Sequence, residues 1–258
     1  MTATEINNNV VSKENWIEAR KALLAQEKEL TRRRDDVSRL RRELPWTEVM
    51  ENYLFDGPSG PETLSDLFAG RDQLIVYHFM FGPEWPEGCP SCSMIGDQID
   101  GIIPHLTQRN ATLVVVSRAP LPKIETFKKR MGWHFKWVSS YHSAFNADYH
   151  VTFTKDELSK GEIYYNYGPS KFPADEAPGA SVFAKNAEGA VYHTYSAYAR
   201  GLDHLLGVYG YLDLTPKGRD EDTLPYPMAW VRHHDRYENA VRQEADHSSC
   251  CTAGEQRT

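Results

Sequence analysis

Two apolar runs limit what this chain can fold into: "LIVYHFMF" (Leu74 to Phe81) and "ATLVVVS" (Ala111 to Ser117). Neither alternates polar with apolar residues. Each therefore reads as a strand covered on both faces, as in the interior of a parallel sheet. Between them, Met94, Ile95, Ile99, Ile102 and Leu106 recur at helical spacing, with Gly101 and Pro104 placed to kink or split the helix. Strand, helix and strand make a crossover unit, which builds a parallel pair. A second amphipathic segment, "PLPKIETFKKRMGW", turns Ile124, Phe127 and Met131 inward and stops at Gly132.

Other elements are arranged around this unit. Ser12 to Glu43 contains no Gly or Pro and reads as one helix with Ser12 as its N-cap. Trp16, Leu23, Leu30, Val37 and Leu40 form a sparse, nearly heptad stripe, suited to packing along the domain or against a homodimer mate. Pro45 ends that helix. "YLFDGPSGPETLSDLFAG" reads as a short hairpin turning at Gly57, Pro58 and Gly60, with a helical turn at Leu64 to Phe68. The stretch from Trp133 to Ala177 is aromatic-rich and irregular, with one strand at Glu162 to Tyr167. "ASVFAK" and "AVYHTY" form a hairpin about "NAEG", and "AYARGLDHLLGVYGYL" reads as a closing helix. The plan is a helical extension (1–44), an α/β domain (45–215) with an insertion at 133–177, and a C-terminal extension (216–258). The extension is expected to carry a short helix near Met228 to Asn239 and a disordered end. A mixed central sheet with helices on both faces follows from this order.

Composition removes several functions. A net charge of −7 over 258 residues argues against nucleic acid as the main partner. The longest apolar run is less than half a membrane span, so no membrane partner is expected. The opening residues, "MTATEINNNVV", lack the basic and apolar regions of a secretory signal, which points to the cytoplasm. There thiols stay reduced unless a pair has a redox task. The four cysteines fall into two pairs, Cys89/Cys92 and Cys250/Cys251.

A Cys-x-x-Cys is half a zinc site, a redox dithiol, or an accident of composition. Zinc needs four ligands. No second such pair exists, and only His233 and His234 are clustered among the histidines, so neither a metal nor a cofactor is expected. The redox reading has a physical basis. Cys89 follows a buried strand and precedes Pro90, the favoured first residue of a helix. Unpaired N–H groups and the helix dipole at that position stabilise a thiolate. Glu84 and Glu87 oppose it. Cys89 is then the attacking thiolate and Cys92, one turn into the helix, resolves the mixed disulfide. Tyr77 and His78, on the strand leading in, are candidates to assist Cys92. Trp85 is a candidate to shield the site, and each of these three could equally be plain packing.

The same residues resemble a known family. Strand, Cys-Pro-Ser-Cys, helix, strand, helix, then Pro178 before a hairpin is the order of thioredoxin-like proteins. "TLSDLFAGRDQLIVYHFMFG" and "VSRAPLPKIETFKKRMGWHFKWVSS" look like the peroxiredoxin-type branch of that fold. "GCPSC", "DGIIPHL", "PGASVFAKNAEG", "YLDLTPKGRDE" and "WVRHHDRYE" resemble a bacterial thioredoxin-like family, domain of unknown function 899, regarded as predicted dithiol–disulfide oxidoreductases. The similarity runs from about Leu44 to Glu238. It implies the redox pair at Cys89 and Cys92 and a cis-proline facing it at Pro178. The implied activity is thiol–disulfide exchange with a disulfide-containing protein or small thiol.

Some positions depart from these patterns. Gly88 replaces the tryptophan that usually precedes the first cysteine, and no acid occupies the preceding strand. The peroxiredoxin signature Pro-x-x-x-Thr/Ser-x-x-Cys fits neither cysteine. A thiol peroxidase using Cys89 is thus the rival enzyme reading, with Arg118 of "VSRAP" as a candidate thiolate support. A non-catalytic binding protein using the aromatic segment Trp133 to Tyr167 is the rival from another class. Cys250 and Cys251 read as a mobile second dithiol or as exposed thiols without a role.

Overall fold

A computed structural model describes residues 9–238; Cys250 and Cys251 lie outside them. Helix α1 (Lys13–Arg42) starts at Ser12, whose hydroxyl accepts from the Asn15 N–H at 3.3 Å. Short β1 (Thr47–Glu48) leads to the hairpin β2 (Leu54–Gly57) and β3 (Gly60–Thr63), followed by a 3-10 turn at Asp66–Phe68. Strand β4 (Gln73–His78), helix α2 (Pro90–Thr107) and strand β5 (Ala111–Ser117) form the crossover unit. Helix α3 (Leu121–Arg130) and strand β6 (Trp137–Ser139) follow. The chain continues through α4 (Phe145–Asp148), α5 (Lys155–Ser159) and a small separate hairpin, β7 (Ile163–Tyr165) with β8 (Gly168–Ser170). It returns as β9 (Gly179–Lys185) and β10 (Val191–Tyr198), and α6 (Gly207–Leu212) ends the regular structure.

The main sheet runs β1-β10-β9-β4-β5-β6-β2-β3. Strands β4, β5 and β6 are parallel, and β9 joins β4 antiparallel, as expected of a thioredoxin-like mixed sheet. Each central strand sends alternate residues to opposite cores, which is why the sequence shows no polar alternation. Tyr77, Phe79, Val115 and Trp137 meet Ile95 and Ile99 of α2 and Ile124 and Phe127 of α3 on one face. On the other face, Leu74, Val76, Val114, Val116 and Val138 pack with Leu67, Phe68 and Phe145.

Several expectations need correction. Helix α2 is continuous through Gly101 and Pro104, because Pro104 falls in its last turn, where only one hydrogen bond is lost. The segment at 133–177 is not all insertion: β6 is the third parallel strand, too short in sequence to announce itself. Its aromatic rings are largely consumed by packing, since Phe153, Tyr165 and Val151 bury with Ala177 and Tyr198 in a third cluster. The closing helix is a 3-10 run at Ala199–Leu205 and then α6, broken at Leu206. Among the described residues of the expected helix near Met228 to Asn239, only a 3-10 turn at His234–Arg236 forms, yet Val231 and His233 are buried.

Helix α1 buries none of its residues, and Trp16, Leu23, Leu30 and Val37 are each more than half exposed. Its stripe does not pack along the domain, because too few seam positions are apolar. Arg41 stacks on Tyr195 at 4.6 Å. Trp137 is fully buried and donates its indole N–H to Ser117 Oγ at 3.0 Å. Trp137→Ala is accordingly expected to cost about 3–5 kcal/mol, read as a lower urea midpoint. Deleting residues 1–43 should shift stability by less than about 1 kcal/mol.

Candidate functional site

The site forms where β4 ends. Tyr77 pairs with Ala180 and His78 with Gly179, so Pro178 lies just beyond the strand terminus. The loop after β4 doubles back until the Cys89 N–H donates to the Met80 carbonyl at 3.0 Å. Cys89 is thereby fixed as the N-cap of α2, with extended backbone (φ −60, ψ 130) and Pro90 first in the helix. Both thiols are free, Cys89 partly exposed and Cys92 buried.

Gly88 is required by close approach. A Cβ there would come within 2.6 Å of the Phe79 ring and 2.8 Å of the Phe127 ring. The tryptophan of ordinary thioredoxins has no room at this position. Trp85 instead packs on Gly82 and donates its indole N–H to Asp175 at 2.9 Å.

The two sulfurs are electrically unequal. The Cys89 thiol makes no capping hydrogen bond of regular geometry. Its pKa is nevertheless brought down to about 7, foremost by hydrogen bonding from the Cys92 thiol. The N–H groups of Cys92 and Ser91 and the Ser91 hydroxyl add to this, against the opposing effect of burial. Cys92 moves the other way, pushed up by burial and by the neighbouring Cys89. The pair thus holds one accessible thiolate near neutral pH and one protonated, sheltered thiol.

Two tyrosines surround Cys92. The Tyr77 hydroxyl is buried without a hydrogen-bond partner of good geometry, yet lies close enough to Cys92 for each to shift the other's pKa. Tyr165 donates its hydroxyl to the Pro178 carbonyl at 2.7 Å, accepts from the Ala199 N–H at 2.9 Å, and feels the charge of Cys92.

His78 is not part of this group. Strand alternation turns it to the opposite face, where it stacks on Phe145 and Tyr149 and bonds Ser181 Oγ at 2.8 Å. Burial lowers its pKa to about 3, so it stays neutral. Arg118 also faces elsewhere. Its Nε donates to Glu176 at 2.7 Å, and among the described residues no hydrogen bond or ion pair joins it to either sulfur. Glu176 is 1% exposed, and burial raises its pKa to about 7 despite Arg118.

Sequence reasoning missed the clamp formed by the C-terminal segment. His233, 1% exposed, donates Nε2–H to the Gly88 carbonyl at 2.8 Å, which leaves Nδ1 to accept from Arg130 at 3.2 Å. Arg130 also grips Asp235 and Glu87, and Arg236 holds Glu87 at 2.6 Å. Glu87 is therefore neutralised by two arginines, and its pKa is lowered. Of the two carboxylates that oppose the thiolate, Glu87 is thus offset, while Glu84 is exposed to solvent. The paired histidines in "WVRHHDRYE" were the available signal. Among the described residues, no group of three or more His, Cys, Asp or Glu is placed to hold a metal ion.

A cavity of about 720 Å³ opens beside Cys92, lined by Tyr77, Met80 and Pro178 and by residues 217–222 and 227–228. Among the described residues, no helix is long and apolar enough to cross a membrane.

The family model described as "Bacterial protein of unknown function" (DUF899) matches residues 5–237. No curated protein matches. Among solved structures, the chain is similar to peroxiredoxin Q of Xanthomonas campestris at 17% identity, covering 66% of this chain and 97% of that one, TM-score 0.44. It is similar to peroxiredoxin Q of Xylella fastidiosa at 16% identity, covering 64% and 94%, TM-score 0.42. Peroxidoxin BcpB of Mycobacterium tuberculosis shares 12% identity over 64% and 94%, TM-score 0.42.

Two outcomes test this site. Cys92→Ser keeps a hydroxyl donor to Cys89, so its midpoint for Cys89 alkylation should stay near 7; Cys92→Ala removes the donor, and the midpoint should rise by about a unit or more. For Glu176, a folded pKa raised above its unfolded value means the stability it contributes is complete below about 4.5 and lost as pH rises through about 7. Glu176→Gln cannot ionise. Its stability relative to the parent should therefore improve between pH 5 and 8, by up to about 3 kcal/mol, in urea unfolding at each pH.

Proposed function

Since this chain belongs to the bacterial DUF899 family, which carries no assigned activity, we propose that it is a thiol–disulfide oxidoreductase with Cys89 as nucleophile and Cys92 as resolving thiol. The observation that carries this reading is the placement of the pair: Cys89, partly exposed, caps α2 and Cys92 lies buried one turn into it, which draws the first thiol's pKa down and pushes the second's up.

The thiolate of Cys89 attacks one sulfur of R–S–S–R′. The Cys89–S–R bond forms, the S–S bond breaks, and R′S⁻ leaves and takes a proton. Cys92 then loses its proton and attacks the Cys89 sulfur. The Cys89–Cys92 disulfide forms and RS⁻ departs. Two electrons pass from the dithiol to the substrate, and an external dithiol reductant restores the pair. As Cys92 gives up its proton to water, before it attacks, Tyr77 donates its hydroxyl to the Cys92 thiolate, offsetting part of the cost of charging a buried sulfur; the departing RS⁻ then takes up a proton. Its own pKa is raised by burial, so it serves as a donor and not as a base. Pro178 lines the cavity beside Cys92, and Tyr165 holds its backbone carbonyl. The clamp through His233 holds the loop that presents Cys89.

In Cys92→Ser, a chromogenic disulfide should leave a stable one-to-one mixed disulfide on Cys89, visible by mass spectrometry. Tyr77→Phe should leave the first attack unchanged and slow resolution by roughly 10-fold or more, about the loss of one hydrogen bond to a charged group. Absence of any adduct in Cys92→Ser, with Cys89-dependent consumption of peroxide, would replace this reading by the peroxidase.

A further inference from the structure

Resting on the exchange reading above, we infer that the substrate is a low-molecular-weight disulfide with apolar, aryl or alkyl substituents, bound in the cavity beside Cys92, and not a protein disulfide. Three observations lead there.

The first is what the cavity walls leave available. Its volume of about 720 Å³ lies within the roughly 300–1,000 Å³ range of small-molecule sites. Ile95, Leu202, Leu206, Tyr209 and Met228 supply much of the lining. The charges that approach it are largely committed to one another. Arg219 is held by Asp213 and Asp203 and lies 3.9 Å over the Tyr209 ring. Glu221 accepts from the Tyr209 hydroxyl, the Trp230 indole and the Met228 N–H. Lys217, Asp220 and Asp222 also line it but are exposed to solvent, so a ligand inside meets mainly apolar surface, which an aryl or alkyl substituent matches better than a charged one.

The second is a buried hydroxyl next to Cys92. Tyr77 lines the cavity and is 3% exposed, and its hydroxyl, close to Cys92, has no hydrogen-bond partner of good geometry. Buried hydroxyls are normally satisfied, so an open donor beside a redox sulfur is suited to a bound sulfur atom.

The third is what already stands at Pro178. A protein segment that docks by strand addition needs free backbone groups along its path. Here the Pro178 carbonyl already accepts from Tyr165 at 2.7 Å, so an incoming strand would share that acceptor. Residues 217–222 and 227–228 of the C-terminal extension also line the cavity, leaving a space that suits a compact molecule.

The chemistry is the balanced exchange already given: R–S–S–R and the dithiol yield two RSH and the Cys89–Cys92 disulfide, which an external dithiol reduces. The test measures turnover of full-length protein with dithiothreitol as reductant on three substrates: 2,2′-dithiodipyridine, oxidised glutathione and insulin. Each rate is divided by the uncatalysed rate with dithiothreitol alone, which removes intrinsic reactivity. The neutral aryl disulfide should be favoured in normalised kcat/KM by about 100-fold or more. Met228→Asp puts a charge in the cavity wall and should raise KM for it roughly 10- to 200-fold, the range for a changed apolar contact. Unchanged alkylation of Cys89 by iodoacetamide would show that the site is intact. If Met228→Asp does not fold, the comparison of the three substrates decides alone. Turnover of insulin or oxidised glutathione with equal or greater normalised efficiency overturns the substrate class and leaves the exchange reading standing. No Cys89-dependent turnover of any of the three overturns both.

Discussion

Helix α2 begins with N–H groups that no carbonyl of its own can satisfy, and the sulfur of Cys89 sits where they gather. That placement depends on the Cys89–Met80 backbone bond at 3.0 Å, which closes the loop after β4. It also depends on Gly88, whose missing side chain lets the loop lie against Phe79 and Phe127. The partly exposed thiol is drawn toward ionisation. Its partner, a turn deeper, is held protonated by burial. The sheet, the aromatic core and the C-terminal clamp all serve to keep this asymmetry fixed.

The clamp changes how the acidic surroundings act. Glu87 stands beside the redox loop, where an unpaired carboxylate would raise a thiol pKa. Arg130 and Arg236 neutralise it, and Asp235 in turn orients Arg130. His233 then joins this network to the Gly88 carbonyl. A segment distant in sequence therefore supports the residue that precedes the nucleophile. The same C-terminal region lines the cavity next to Cys92, so residues 217–237 both brace the site and form part of its wall.

Much of the fold was legible because it rests on local pattern. β5 and α3 lie almost where the apolar runs and helical spacing put them, and Ser12 caps α1 as its sequence suggests. β6 escaped notice because three residues carry no period, and the last helix broke because Leu206 turns out of helical conformation. At the site, the redox pair was legible from spacing and position alone. The companions of that pair were not. Tyr77 and His78 look equivalent in sequence, and only strand direction sends one toward Cys92 and the other to the opposite core. Tyr165, Glu176 and His233 act through contacts between segments far apart in the chain, which no periodicity reports.

The central claim is that the two sulfurs have opposed acidities within one motif. The most direct measurement is a titration of the reduced, full-length protein followed by the 13Cβ shifts of Cys89 and Cys92. The account predicts that Cys89 titrates near pH 7, while Cys92 remains protonated well above the ordinary cysteine range. Coincident titration of both residues near 8.5, or a lower midpoint for Cys92 than for Cys89, would contradict it.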